Sequence, residues 1–185
     1  QHFFRSLFQG TSKQEGFIIN KRVIVPNTQR PSDSVIDANV KRLMKAQYGV
    51  IRLGSAESDS LGYWAKVRQM PKTYHTLNRS EILTDTLVRQ YYRDLKTVDY
   101  TDDLYVIYTK ERETNDYTNF SGNAISRPLD VPNYQISVAH MVQRPVHFYA
   151  NGGILQNKSF LYEGFWAYEK IADMVPMDYV SKSTP

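Results

Sequence analysis

The chain contains no cysteine. That absence removes disulfides, thiolate metal sites and cysteine nucleophiles together. It leaves an oxidising compartment open, because a domain of this size needs no disulfide staple. No apolar run approaches the length of a membrane-spanning helix, so no transmembrane span is expected. Neither Gly-x-Gly-x-x-Gly nor Gly-x-x-x-x-Gly-Lys-Ser/Thr is present, so a nucleotide cradle has no support and no cofactor is expected. The Gly-x-Ser-x-Gly elbow of a serine nucleophile is missing too, and Gly54 to Ser60 reads as a polar turn. Tryptophan is scarce, with 2 residues.

What is present is tyrosine. The 185 residues include 14 Tyr against 8 Phe, within 41% hydrophobic and 13% aromatic content. Tyrosine packs its ring while keeping a wet hydroxyl, which suits half-buried sheet faces and interfaces. This length and composition lead us to expect one α+β domain over residues 16–180, preceded by an apolar segment or linker at 1–15 and followed by a tail at 181–185. The chain opens on Gln1, as a processed or trimmed product does. A removed secretory signal would leave such a terminus, and so would a cut at a domain boundary. A lipid anchor would need a cysteine at the processed end.

Charge is unevenly spread. Residues 1–100 carry 16 Lys and Arg against 9 Asp and Glu, and residues 101–185 carry 7 against 10. The asymmetry would suit an acidic partner, although an ordinary solvated surface explains it more simply.

Patterning predicts mostly antiparallel sheet, about six strands with three helices. Gly16 to Val25 is β-branched and bounded by glycine and proline, hence a strand. Ser34 and Asp37 open a helix whose Ile36, Val40, Leu43 and Met44 share one face, ending near Tyr48. Val50 to Leu53 and Gly62 to Arg68 read as strands. Asn78 and Glu81 form a capping box, and Leu83, Leu87, Tyr91 and Leu95 follow at spacing four, predicting a helix over 77–95. Leu104 to Thr109 is a strand that Lys110 to Glu113 can extend, residues 114–133 are a loop, and Tyr134 to Val142 alternates as a strand. Pro145 to Tyr149 runs into the turn Asn151-Gly152-Gly153, with Ile154 and Phe160 to Tyr162 as its return. Glu163 to Tyr179 predicts an aromatic helix stopped by Pro176, packed onto the domain.

Candidate chemistry is sparse. Of His2, His75, His140 and His147, the last two flank Pro145 and could approach across neighbouring strands, but no His-x-x-x-His or Glu-x-x-His spacing presets a metal pair. Asp102-Asp103 and Glu111/Glu113 are carboxylate pairs. Adjacent strand residues face opposite sides, so Asp102 and Asp103 do not converge unaided. Trp64, Lys66, Arg68, Lys72 and Arg79 mix one aromatic with cations, the pattern of a strand face that binds an anionic glycan or single-stranded nucleic acid. An amphipathic strand explains them as well. Trp166, with Phe165 and Tyr168, could stack a sugar, and core packing accounts for it more simply. Tyr179 completes the aromatic tail as a candidate contact.

Several stretches resemble a group of secreted proteins of Bacteroidetes-type bacteria, often labelled after a carboxypeptidase-like regulatory domain. They are Tyr63 to Lys72, Leu87 to Leu95, Leu104 to Tyr108, Val146 to Gly153 and Gly164 to Tyr179, spread over roughly residues 60–180. The resemblance implies an exported or envelope protein and no assigned reaction. The small β-sandwich that opens those proteins is not found before residue 60, so either the chain is a fragment or the likeness is to their C-terminal module only. No zinc-ligand pattern for a peptidase accompanies it.

The leading expectation is therefore a non-catalytic envelope or secreted module that binds another protein, using residues among Trp64, Lys66, Arg68, Lys72, Trp166, Tyr168 and Tyr179. The alternative is an anionic-ligand binder acting through Trp64 to Arg68, nucleic acid being the less favoured ligand. A hydrolase using His140 or His147 ranks last.

Overall fold

The computed structural model describes residues 1–46, 56–120, 125–156 and 158–169. In chain order its elements are α1 (His2–Gln9), β1 (Phe17–Pro26), α2 (Asp33–Ala46), α3 (Ala56–Gln69), β2 (Thr73–Asn78), α4 (Thr84–Leu87) and β3 (Val88–Tyr92). There follow β4 (Leu95–Val98), β5 (Asp103–Arg112), α5 (Asn115–Phe120), β6 (Tyr134–Met141), β7 (Val146–Tyr149), β8 (Phe160–Gly164) and α6 (Phe165–Tyr168). The fold is α+β, with antiparallel pairing throughout the resolved ladders. The described residues hold eight strands and six helices, against about six and three expected. The strands form a five-stranded sheet ordered β2-β1-β5-β6-β8 and a three-stranded sheet ordered β3-β4-β7. The chain divides into two compact units, residues 1–23 with 77–185, and residues 24–76.

The first unit is built on β1, β5, β6 and β8. Alternation puts Phe17, Ile19, Leu104, Val106 and Ala139 into a large core with Val98, Val146 and Phe148 of the smaller sheet. The opposite face buries Tyr105, Ile107, Ile136 and Val138 in a second cluster. The segment expected as an apolar appendage is α1, and it belongs to the large core. Phe3, Phe4 and Leu7 lie at helical spacing and are all buried. Each such side chain contributes roughly 1.5–3 kcal/mol by leaving water. Gly10 ends the helix at φ 73°, its N–H donating to the Leu7 carbonyl while the Thr11 N–H donates to that of Ser6.

The second unit contains α2 and α3. Ile36 is buried on α2, as its stripe requires, whereas Met44 is exposed. The expected strand over 62–68 is instead part of helix α3. Leu61, Trp64 and Val67 are less exposed positions on it, three residues apart, with Met70 following just past its end, and that helical period overrides the weak alternation of the same residues. Asn27 closes the unit at its base. Its N–H donates to the Lys72 carbonyl at 2.9 Å, and its side-chain amide donates to Pro71 O at 2.9 Å and the Tyr74 hydroxyl at 3.0 Å.

The helix expected over 77–95 is not formed. In its place stand the end of β2, the single turn α4 and the hairpin β3-β4 around Arg93-Asp94. Leu83 and Tyr91, two members of the spacing-four stripe, are exposed. Val-Arg-Gln-Tyr-Tyr is strongly β-forming, and pairing to β4 decides its conformation. Asn78 still accepts a backbone hydrogen bond, from Ser80 N–H at 3.0 Å, as a turn rather than a helix cap. The aromatic helix expected from Glu163 is the single turn α6: Glu163 and Gly164 belong to β8, and Glu169 caps the turn with ψ 120°. Residues 170–179 of the expected span lie outside the described residues, as does the strand expected at 50–53.

Candidate functional site

Four ionisable side chains meet on one face of the larger sheet. Arg22 on β1 stands directly opposite Asp103 on β5, and the β5–β6 register brings Asp103 beside His140 on β6. Glu163 on β8 is paired with Val138, two residues from His140 on the same face. The Arg22 guanidinium donates to Asp103 Oδ2 at 3.1 Å and to Glu163 Oε2 at 3.0 Å. His140 Nδ1 lies 2.8 Å from Asp103 Oδ1, and its Nε2 lies 2.9 Å from Glu163 Oε1. Arg22 and Asp103 are only 13% and 17% exposed. Burial works against the charged form of Glu163, but the hydrogen bond and charge of Arg22, with His140 adding to them, hold its carboxyl below the ordinary range.

Both imidazole nitrogens are thus engaged by this chain's own carboxylates, and a guanidinium occupies the centre where a cation would sit. Among the described residues no group of three or more His, Cys, Asp or Glu is placed to hold a metal ion. The arrangement clamps β1, β5, β6 and β8 together. Neither Arg22 nor Glu163 stands out in the sequence, because the members are far apart in the chain and only strand register unites them. His147 does not join His140. It lies on β7 in the other sheet, its ring against Tyr91 with centroids 4.4 Å apart. Its Nδ1 is buried and has no hydrogen-bond partner among the described residues.

The β3-β4-β7 sheet has two unlike faces. Val98, Val146 and Phe148 point into the core, and Lys96 on that side donates to the Phe8 carbonyl at 2.5 Å. The opposite face carries His147 and Tyr149 of β7, joined by Tyr91. A β-bulge inserts one extra residue between Gln90 and Tyr92, so Tyr91 and Tyr92 crowd the position opposite Leu95. They are 64% and 73% exposed, and Tyr149 and Leu155 are exposed beside them. Tyr100 and Tyr105 are structural. Tyr100 donates its buried hydroxyl to Ala139 O at 3.1 Å, and Tyr105 donates to Ser126 O at 3.0 Å. Burial pushes the Tyr105 hydroxyl up to about 12 and that of Tyr100 further still.

The residues singled out from sequence do not gather in one place. On α3, Trp64 is half-buried on the Leu61–Val67 stripe, and Lys66, two residues on, projects from a different side of the helix. Arg68 is paired with Asp37, and Lys72 is paired with Asp33 at 2.5 Å. Hydrogen bonds from Lys72 and Arg30 hold the Asp33 carboxyl below its ordinary range. Arg79 is paired with Asp130 at 2.5 Å. Trp166 packs on Phe3 at 5.0 Å and on Tyr162 at 5.7 Å, while its backbone N–H donates to Ser137 Oγ at 3.1 Å. Tyr168 stacks edge-on against Tyr117 at 5.3 Å. Tyr179 lies outside the described residues. No family model, curated protein or solved structure matches this chain.

Proposed function

We propose that the protein is a non-catalytic interaction module of the cell envelope or a secreted assembly, and that it contacts another protein through the outer face of the β3-β4-β7 sheet. The observation that carries this reading is the concentration of Tyr91, Tyr92, Tyr149 and Leu155 on one exposed surface, while Phe3, Phe4, Phe17 and Phe148 fill the core. Tyrosine supplies large contact area at low conformational cost, and its enrichment at interfaces follows from that. The exported setting rests on the likeness of residues 60–180 to the secreted group. The basic α3 surface supports an anionic ligand less well, since Arg68 and Lys72 already hold carboxylates of their own unit.

A photo-crosslinking residue placed at Tyr92 in producing cells tests the reading, with Leu129, exposed elsewhere, as the comparison site. A discrete protein adduct from position 92 and none from 129 is the expected result. No adduct from 92, or the same smear from both, would overturn it.

A further inference from the structure

We infer that the outer face of β3-β4-β7 receives an acidic segment of the partner protein, an inference that rests on the interaction reading above and specifies its chemistry. Residues 88–98 carry three cations, Arg89, Arg93 and Lys96, against one carboxylate, Asp94. Lys96 is turned inward, its ammonium on the Phe8 carbonyl and 4.8 Å from the centre of the Phe8 ring. Arg89 and Arg93 are exposed and have no acidic partner among the described residues. Elsewhere in the first unit Lys13, Lys21, Arg22, Arg79, Arg127 and Arg144 are each paired with a carboxylate, while Arg5, Lys110, Arg112 and Lys158 have no such partner among the described residues and lie away from Tyr91 and Tyr92 in sequence. Arg89 and Arg93 flank the tyrosine surface, one on β3 and one in its turn.

A second observation lies in the same place. His147 Nδ1 is buried without a partner, and Tyr91 lies against that ring. Buried polar nitrogens are nearly always satisfied in folded proteins. That nitrogen is sealed from solvent, so an incoming partner meets the Tyr91 ring that covers the imidazole rather than the nitrogen itself. Carboxylates supply what this face lacks: acceptors for two arginine forks, which bind carboxylate bidentately, and for the tyrosine hydroxyls. Apolar side chains between those carboxylates would cover the tyrosine rings and Leu155.

The test uses the full chain and a fluorescein-labelled peptide of alternating glutamate and leucine, read by fluorescence anisotropy. Its counterpart with lysine for glutamate, and heparin, serve as competing chemistries. The glutamate peptide is expected to bind and the lysine peptide to fail. Combined Arg89→Glu and Arg93→Glu should weaken binding by about tenfold or more, and added salt should weaken it as well. Lys110→Glu, an exposed reversal on β5, should leave affinity unchanged, and urea midpoints like that of the parent establish that both variants are folded. Equal binding of the lysine peptide, or indifference to the arginine reversals, would overturn the inference. So would heparin binding without glutamate-peptide binding, which would point to an anionic polysaccharide. A crosslink from position 92 with no glutamate-peptide binding would defeat this inference and leave the interaction reading standing. Failure of both would remove both.

Discussion

Asp103 faces Arg22 across β5 and β1 with the guanidinium 3.1 Å from Oδ2, and the same carboxylate holds His140 Nδ1 at 2.8 Å through its other oxygen. One short side chain thus fixes two cationic partners on two neighbouring strands. Asp103→Ala leaves a largely buried guanidinium without its main counter-charge. It should lower stability by about 3 kcal/mol, read as the shift in the urea midpoint. A change below about 0.5 kcal/mol, the range of ordinary surface substitutions, would show that the cluster is not a clamp.

Glu163 sets an acid limit. Its carboxyl is held below the ordinary 4.5 of a glutamate, despite opposing burial, by Arg22 and then by His140. A group whose folded value is depressed stabilises the fold above its unfolded value. That contribution is lost as pH falls through the folded value. Stability should therefore decline as pH drops from about 4.5 into the more acidic range, and Glu163→Gln should flatten part of that decline. Parallel curves for parent and variant would contradict the assignment.

Gly164 and Gly10 share a positive φ but not a setting. At Gly164, φ 78°, an added Cβ would come within 2.5 Å of the Ile136 carbonyl oxygen, whereas at Gly10, φ 73°, it would meet nothing within 4 Å. Gly164→Ala should cost well over 2 kcal/mol or prevent folding, and Gly10→Ala should cost about 1 kcal/mol, the conformational penalty alone. Thermal melts of the two variants side by side check the ordering.

The N-terminal helix should behave as core. Leu7 is 1% exposed, so Leu7→Ala should cost about 2–5 kcal/mol. Phe3→Ala removes the ring lying 5.0 Å from Trp166 and should shift that tryptophan's emission to the red. An unchanged spectrum with unchanged stability would place the helix off the domain.

How much of this could be read from the residues varied with range. β1, β5 and β6 were legible because glycine and proline punctuate them and β-branched or alternating apolar residues fill them. The helix from Asp33 was legible from the stripe through Ile36, although Ser34 and Asp37, read as opening it, lie inside the helix. The segment 77–95 was misread because leucines and a tyrosine at spacing four mimic a stripe, and nothing local reveals that Leu83 and Tyr91 stay exposed. Around Trp64, residues 62–68 fit both periods, and only Leu61 and Met70 at its ends break the tie. The charged clamp was out of reach, since Arg22 and Glu163 meet only through four paired strands. Tyr91, Tyr92 and Tyr149 were lost among 14 tyrosines, although an aromatic pair beside two arginines was a usable signal.

Asn27 ties the way out of the second unit to the way back, holding Lys72 and Pro71 within 2.9 Å hydrogen bonds. Whatever lies between those two anchors is, for the rest of the polypeptide, a detour that starts and finishes at one knot. Doubling the length of a flexible connection costs only about 0.6 kcal/mol. Evolution or an engineer could therefore extend, shorten or replace that excursion wholesale, so long as the asparagine stays.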